Sequence, residues 1–511
     1  MSKTANGTKR HGTQQSLNGA VKSICDTMRR SNCAGALQYV PEITWILFLR
    51  ILDERENHEA EHAEAVGAEF KPSLKAPYRW QDWADPAGAK RKKLQDGTMG
   101  AVFSFVHGEL LPYLRGLKEK PNATARQKVI SEIFSGVEKT RVDTEKNFLD
   151  ILDKVHEISA ETVDPTHVFT VSQVYEGLLL KMGEKGNDGG QFFTPREVIR
   201  AVVRAIDPKI GETVYDPGCG TGGFLAQAYE YMAASKKKLT ANDLETLKRR
   251  TFYGREKDNA IYPIALANLV LHGIDEPHIW HGNTLTGAET YGGLFTDAPP
   301  LYDVLLFNPP FGGKEGPAAQ TNFAYKTGAT QVLFLQHALS SLKTGGRCGI
   351  VLDEGVLFRT NETAFVQTKR KLLDDCDLWC IVSLPGGVFT AAGAGVKTNL
   401  LFFTKGKPTE KVWYYDLSDT KVLKRTPFTL DKFEDFFKLL PKRADSERSW
   451  TVTRKQIEDR GFDLKAVNPN AKSTEDTRTP EELLDLIDAK GAEVAAAIAA
   501  LRMTMAGAIE K

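Results

Sequence analysis

The chain has 511 residues, 41% of them hydrophobic and 26% charged, which is more than one ordinary core holds, so two or three domains are expected. Lys and Arg number 67 against 66 for Asp and Glu, a balance that argues against a protein gripping nucleic acid unaided through a broad basic face. No apolar run has the length of a membrane span, Met1-Ser2-Lys3-Thr4 is too polar for a signal-peptide core, and six scattered cysteines make no paired zinc pattern. A cytoplasmic protein without a structural metal or a membrane contact is expected.

Residues 1–14 are polar and basic and read as a disordered tail. From 15 to 170 the pattern is helical: Leu17, Val21, Ile24 and Met28 recur at helical spacing, as do Ile43, Ile46, Leu47 and Ile51. The acidic, Ala-rich stretch from Glu54 to Glu69 continues a long solvated helix, and Trp80 and Trp83 sit in a Pro-rich interruption. These features predict a helical interaction domain.

Between 171 and 416, short apolar runs alternate with helical ones. Strands are predicted at 212–215, 251–255, 302–307, 347–352 and 378–383, with helices at 223–234, 262–272 and 330–343. Strict alternation predicts an α/β fold, a doubly wound Rossmann-like parallel sheet. Runs at 398–404 and 411–415, joined by Lys405-Gly406-Lys407-Pro408, predict a β-hairpin at the sheet's edge. The remaining 417–511 is expected to be a helical C-terminal region for subunit contact, with an amphipathic stretch at 430–440 and a long helix at 479–505 capped by Thr479 and started by Pro480. Basic runs at Lys90-Arg91-Lys92-Lys93, Lys236-Lys237-Lys238 and Lys369-Arg370-Lys371 read as solvated loops or helix ends.

Chemistry concentrates in the middle region. Asp216-Pro217-Gly218-Cys219-Gly220-Thr221-Gly222-Gly223-Phe224 falls at a strand-to-helix turn, where glycines admit a ligand to the backbone and the helix start offers free N–H groups. The carboxylate of Asp216 suits a ligand with an ammonium end, so the loop fits S-adenosylmethionine better than a pyrophosphate. Glu256, at the end of the next strand, stands where ribose hydroxyls are expected, or is an ordinary strand-end charge. Asn283, after a third strand, is a candidate contact for the cofactor's adenine. Upstream, Gln191-Phe192-Phe193-Thr194-Pro195-Arg196 is either a loop feeding a capped helix or a segment closing over the cofactor's methionine part.

Asn308-Pro309-Pro310-Phe311 follows the run Tyr302 to Phe307. A carboxamide oxygen and the carbonyl of Pro309 are two acceptors held side by side, able to take both hydrogens of a planar –NH2 group. Phe311 can stack on the base bearing that group. The alternative is a tight Pro-Pro turn with a buried Phe. Any planar –NH2 suits the device, so a protein glutamine or an RNA base stands as an alternative substrate. Neither Cys219 nor Cys348 follows a Pro-Cys motif, which argues against a cysteine nucleophile.

Taken in order, these motifs closely resemble the modification (methyltransferase) subunit of type I restriction–modification systems. Further matching residues are Leu384-Pro385-Gly386-Gly387-Val388-Phe389, Lys397-Thr398-Asn399-Leu400-Leu401-Phe402-Phe403 and Gly461-Phe462-Asp463-Leu464. The resemblance implies an N6-adenine DNA methyltransferase using S-adenosylmethionine on a flipped adenine of double-stranded DNA. It also implies a separate specificity subunit, two copies of this chain for each specificity subunit, and an added restriction/translocase subunit. Asn283 departs from the pattern, since many related enzymes carry an acidic residue there.

Overall fold

The computed structural model describes residues 14–31, 33, 36–158, 194–294, 298–389, 397–422, 428–470 and 478–509. They form two compact units, Met1–Val467 and Asn468–Lys511.

In the first unit, ten strands make one sheet: β1 (Val214–Asp216), β2 (Phe252–Glu256), β3 (His278–Asn283), β4 (Ala288–Gly293), β5 (Tyr302–Phe307), β6 (Leu342–Asp353), β7 (Cys376–Ser383), β8 (Thr398–Lys405), β9 (Lys411–Asp416) and β10 (Ser449–Thr453). The order is β10-β9-β7-β8-β6-β5-β1-β2-β3-β4. From β1 the chain winds outward through β2 and β3, then returns to the other side of β1 with β5 and β6, all parallel. The switch point therefore lies between β1 and β5, where a doubly wound sheet opens a crevice at its strand ends.

Strands buried on both faces read as unbroken apolar runs, and β5 keeps Val304 to Phe307 all buried. Helices cover both sides. The Arg196–Ile206 helix turns Val198, Val202 and Ile206 inward. It lies so close to β6 that a Cβ on Gly349 would come within 2.6 Å of Val202, so only glycine fits there.

Three sequence expectations need correction. β8 and β9 are not a hairpin: β8 runs antiparallel between β6 and β7, while β9 lies parallel on the far side of β7. The link between them is tied beneath the start of β7, with Gly406 N–H donating to Asp375 O at 2.8 Å and Thr409 N–H to Leu373 O at 2.8 Å. The antiparallel edge pair is β9 with β10, so the sheet continues past Asp416. Two cations of the basic runs are also buried rather than solvated. Arg91 donates to Ala84 O and to Asp153, and Lys369 Nζ donates to Leu357 O and Arg359 O at 2.7 and 2.8 Å. Each satisfies carbonyls that would otherwise be stranded.

The N-terminal helices include Gln14–Arg30, Ala36–Ala65 and Glu145–His156. Trp45 and Phe48 of the second pack on Phe134, and Trp80 and Trp83 are core residues in a T-shaped pair. This layer is bolted to the sheet layer by charge. Arg55 and Arg126 both reach Asp275, at 3.0 and 2.9 Å, and Arg126 also grips Glu59 at 2.7 Å. Burial alone would raise the Asp275 carboxyl, but Arg126 and Arg55 outweigh it and hold it below the usual range; Glu59 is held low by the same two guanidiniums. Asp275→Ala leaves two half-buried guanidiniums sharing Glu59 and should lower stability by about 1 to 2 kcal/mol, read as a shift of the urea midpoint. Both carboxyls have folded values below their unfolded ones. Their contribution is present above about pH 4 and is lost as pH falls through the folded values.

Among the described residues the second unit carries one helix, Pro480–Ile509. A capping box starts it, Thr479 N–H donating to Glu482 at 2.7 Å and Glu482 N–H returning to Thr479 Oγ1. Leu484, Ile487, Val494, Ile498 and Leu501 recur along it at steps of three, seven, four and three residues and are exposed.

Candidate active site

The C-terminal ends of β1, β2, β3 and β5 surround a cavity of about 260 Å³. Asp216 ends β1 and Glu256 ends β2; their strands pair with Asp216 opposite Gly254. A Cβ on Gly254 would meet Ile279 of β3 at 2.8 Å and the Asp216 carbonyl of β1 at 3.2 Å, so glycine lets both neighbouring strands approach β2 closely. Beyond Asp216 the turn needs left-handed backbone at Gly220 (φ 54°) and Gly222 (φ 80°) before the Gly223–Ala234 helix begins.

Both acids are almost fully buried. Asp216 accepts from Gly218 N–H at 3.0 Å, and Glu256 accepts from Gly220 N–H at 3.0 Å and Asp258 N–H at 2.8 Å. Burial pushes the Asp216 carboxyl well above its usual range, and the nearby Glu256 adds to this. Burial also pushes Glu256 up to about 7. On the third strand, Asn283 lines the cavity and its Oδ1 accepts from Leu285 N–H at 2.9 Å. Thr284 donates to the Pro217 carbonyl, tying this strand end to the glycine turn.

Asn308 begins where β5 ends. Its Nδ2 donates to Thr194 Oγ1 at 3.0 Å, whereas its buried Oδ1 has no hydrogen-bond partner. An unmatched buried acceptor is uncommon and suits a donor that the described residues do not supply. Asn308 and Pro310 line the same cavity as the two acids. Pro309 is buried, and Phe311, half-buried, meets Phe389 edge-on at 5.4 Å outside that lining.

Of the residues singled out from sequence, Thr194, Arg196, Asp216, Gly218, Gly220, Thr221, Gly223, Phe224, Glu256, Asn283, Asn308 and Pro310 converge on the cavity. Gly222 and Pro195 shape the turn and the helix start beside it. Gln191, Phe192 and Phe193 lie outside the described residues. Sequence reasoning missed Gln227 and Glu230, one and two turns along the Gly223–Ala234 helix, and Lys314, Glu315, Thr330 and Phe334 beyond β5. The helical spacing of Phe224, Gln227 and Glu230 was the available signal for the first pair. Arg196, opposite Glu230, is lowered to about 10 by burial and by Arg200. Cys219 and Cys348 are buried, and burial pushes both thiols up, which denies them thiolate character. Among the described residues no cluster of His, Cys, Asp and Glu is placed to hold a metal.

A glycine turn at a switch point, a buried acid ending the second strand and a carboxamide after the strand beside β1 match the layout of a methyltransferase of the amino-methylating class. Residues 167–478 match the N-6 DNA Methylase family model, and residues 17–154 match the HsdM N-terminal domain. The chain is 33% identical over 502 residues to the methylase subunit of the type I restriction enzyme EcoEI of Escherichia coli, covering 94% of this chain and 95% of that one. It is 29% identical to the EcoKI methylase subunit of E. coli K12 over 85% of this chain and 79% of that one. A solved modification subunit assigned to a type I restriction enzyme of Vibrio vulnificus superposes with a TM-score of 0.76 at 31% identity, covering 92% of this chain and 99% of that one. A chain from a solved type I restriction–modification system superposes with a TM-score of 0.71 at 36% identity, over 96% and 98%. The chain belongs to the N-6 DNA methylase family, among the methylase subunits of type I restriction enzymes, and is an adenine-specific DNA methyltransferase. That membership sets aside the protein-glutamine and RNA-base readings.

Proposed function

We propose that the cavity binds S-adenosylmethionine and that Asn308 and the Pro309 carbonyl hold the N6 amine of a DNA adenine turned out of its duplex. The observation that carries this reading is the unpartnered Oδ1 of Asn308 on the cavity that also holds Asp216 and Glu256. The residues fit the donor: Asp216 suits its ammonium, Glu256 its ribose hydroxyls, and the glycine turn admits its body against the backbone. Asn283, with its oxygen engaged by Leu285 N–H, has its amino group to offer to an adenine ring nitrogen. Thr194 and Arg196, with Gln191, Phe192 and Phe193, close over the methionine part. When bound, the cofactor supplies an electrophilic methyl on a sulfonium.

An adenine stacked in a duplex cannot present N6 for in-line attack, so it must be extruded. Asn308 Oδ1 and the Pro309 carbonyl then accept its two N6 hydrogens, which draws the nitrogen lone pair out of ring conjugation. Phe311 stacks on the base. Positioning and fixed dipoles account for the rate, and no covalent intermediate is needed.

The near-balanced charge of the chain means that a specificity subunit supplies sequence reading and much of the DNA affinity. The exposed apolar stripe of the Pro480–Ile509 helix has coiled-coil spacing and is the proposed contact with that subunit, two copies of this chain per specificity chain, with a restriction/translocase subunit added. Residues 15–170 serve as the interaction domain, and the location is the cytoplasm. No helix among the described residues is long and apolar enough to cross a membrane.

Nucleoside mass spectrometry of host DNA tests the activity. N6-methyladenine should disappear when this gene is deleted and return on complementation; unchanged N6-methyladenine would refute it. Cofactor affinity should also depend on pH through Glu256, whose carboxyl without ligand sits at about 7. The ionised form accepts ribose hydroxyls, so affinity rises several-fold from about pH 6 to about pH 8, and Glu256→Gln flattens the rise in calorimetric titrations.

A further inference from the structure

The Asn308 side chain has two faces of opposite character, and only one suits an amine. A carboxamide turned by half a rotation about its last bond would present –NH2 to –NH2, two donors facing each other. Backbone geometry at Pro309 and Pro310 fixes where the side chain begins but not which end points to the cavity. The carboxamide is held by the hydroxyl of Thr194, which accepts from Nδ2 at 3.0 Å across 114 residues of sequence. The oxygen is thereby left buried and without a hydrogen-bond partner among the described residues, on a side chain that lines the cavity. Thr194 immediately precedes Pro195, the N-cap residue of the Arg196–Ile206 helix, and that helix is packed against β6 through Val202 and Ile206. The hydroxyl therefore lies two residues ahead of a helix that is docked on the sheet, and a docked element is what a positioning group needs.

We infer that Thr194 is a positioning residue for methyl transfer: by accepting the Asn308 Nδ2 hydrogen, its hydroxyl turns Oδ1 toward the incoming amine. This rests on the role proposed for Asn308 and is distinct from any contact of Thr194 with the cofactor. Loss of a cofactor contact weakens binding, whereas loss of carboxamide orientation lowers the transfer rate at full occupancy.

The test uses the full chain assembled with its specificity subunit, radiolabelled S-adenosylmethionine, and unmethylated duplex DNA from a host in which this gene is deleted. Thr194→Val keeps the side-chain volume and removes the hydroxyl, while Thr194→Ser restores it without the methyl. At saturating cofactor, Thr194→Val should lower the single-turnover rate roughly tenfold, the scale of one lost neutral hydrogen bond. The loss should persist at saturating cofactor whatever change calorimetry shows in cofactor affinity, and Thr194→Ser should recover most of the rate. Thr194→Ala, with the same expected rate loss, covers the case in which Val disturbs the fold. An unchanged rate in both hydroxyl-free variants would overturn the inference. So would a rate loss that vanishes as cofactor is raised, or a Ser variant as impaired as Val. If the wild-type complex itself transfers no methyl to adenine, the function proposed for the site fails instead, so the two failures are separable.

Discussion

Asn308→Ala should lower methyl transfer by roughly 10²- to 10³-fold while leaving the calorimetric affinity for S-adenosylmethionine within about threefold of wild type. The substitution deletes the acceptor that has no partner among the described residues and leaves Asp216, Glu256 and the glycine turn untouched. A loss of that size corresponds to about 3 to 4 kcal/mol of the barrier, more than one ordinary hydrogen bond in water contributes. The excess arises because the carboxamide sits at the end of a buried strand, already oriented and largely shielded from solvent. No fold penalty of consequence is expected, since the carboxamide makes one hydrogen bond, to Thr194. Methylation at the wild-type rate in a purified complex would remove Asn308 from the chemistry.

Gly220→Val should reduce cofactor affinity on the order of a hundredfold, from two separate causes. Gly220 has φ 54°, a conformation costly for any side chain and worst for a β-branched one. It also lines the cavity and gives its N–H to Glu256, so an added side chain crowds the ligand and disturbs the acid on β2 together. Gly220→Ala separates the causes, because it adds backbone strain with little bulk, and should fall between wild type and Gly220→Val. Calorimetry reads the affinities. Thermal unfolding checks that each variant is folded, and a Gly220→Val protein binding cofactor as wild type would contradict the cradle assignment.

Much of this was legible in the sequence because burial on both faces leaves a plain signature. The helices at 223–234 and 262–272 and the run at 302–307 coincide with the observed elements. The link from Asp216 to Asn308 followed from chain order, since both close strands that a doubly wound sheet brings side by side. Other features carry no local signal. Strand β4 is the polar, glycine-bearing Ala288–Gly293 and has no alternation to find. The insertion of β8 between β6 and β7 depends on contacts from Gly406 and Thr409 to Asp375 and Leu373, which a hairpin-like spacing conceals. Lys369 reads as a surface charge until the carbonyls of Leu357 and Arg359 are seen to need its three donors. The bond between Asn308 and Thr194 joins residues 114 apart, beyond any periodicity.

The central claim is that one crevice holds both the methyl donor and the acceptor for the amine, and a crystal structure of the full chain with sinefungin, an unreactive analogue of the donor, tests it most directly. The ribose hydroxyls should lie on Glu256, the amino-acid end between the glycine turn and Thr194, and the analogue's amine, which stands where the donor carries its methyl group, should be directed toward Asn308 Oδ1. Sinefungin bound elsewhere, or bound with the Asn308 carboxamide oxygen turned away from it, would contradict the account.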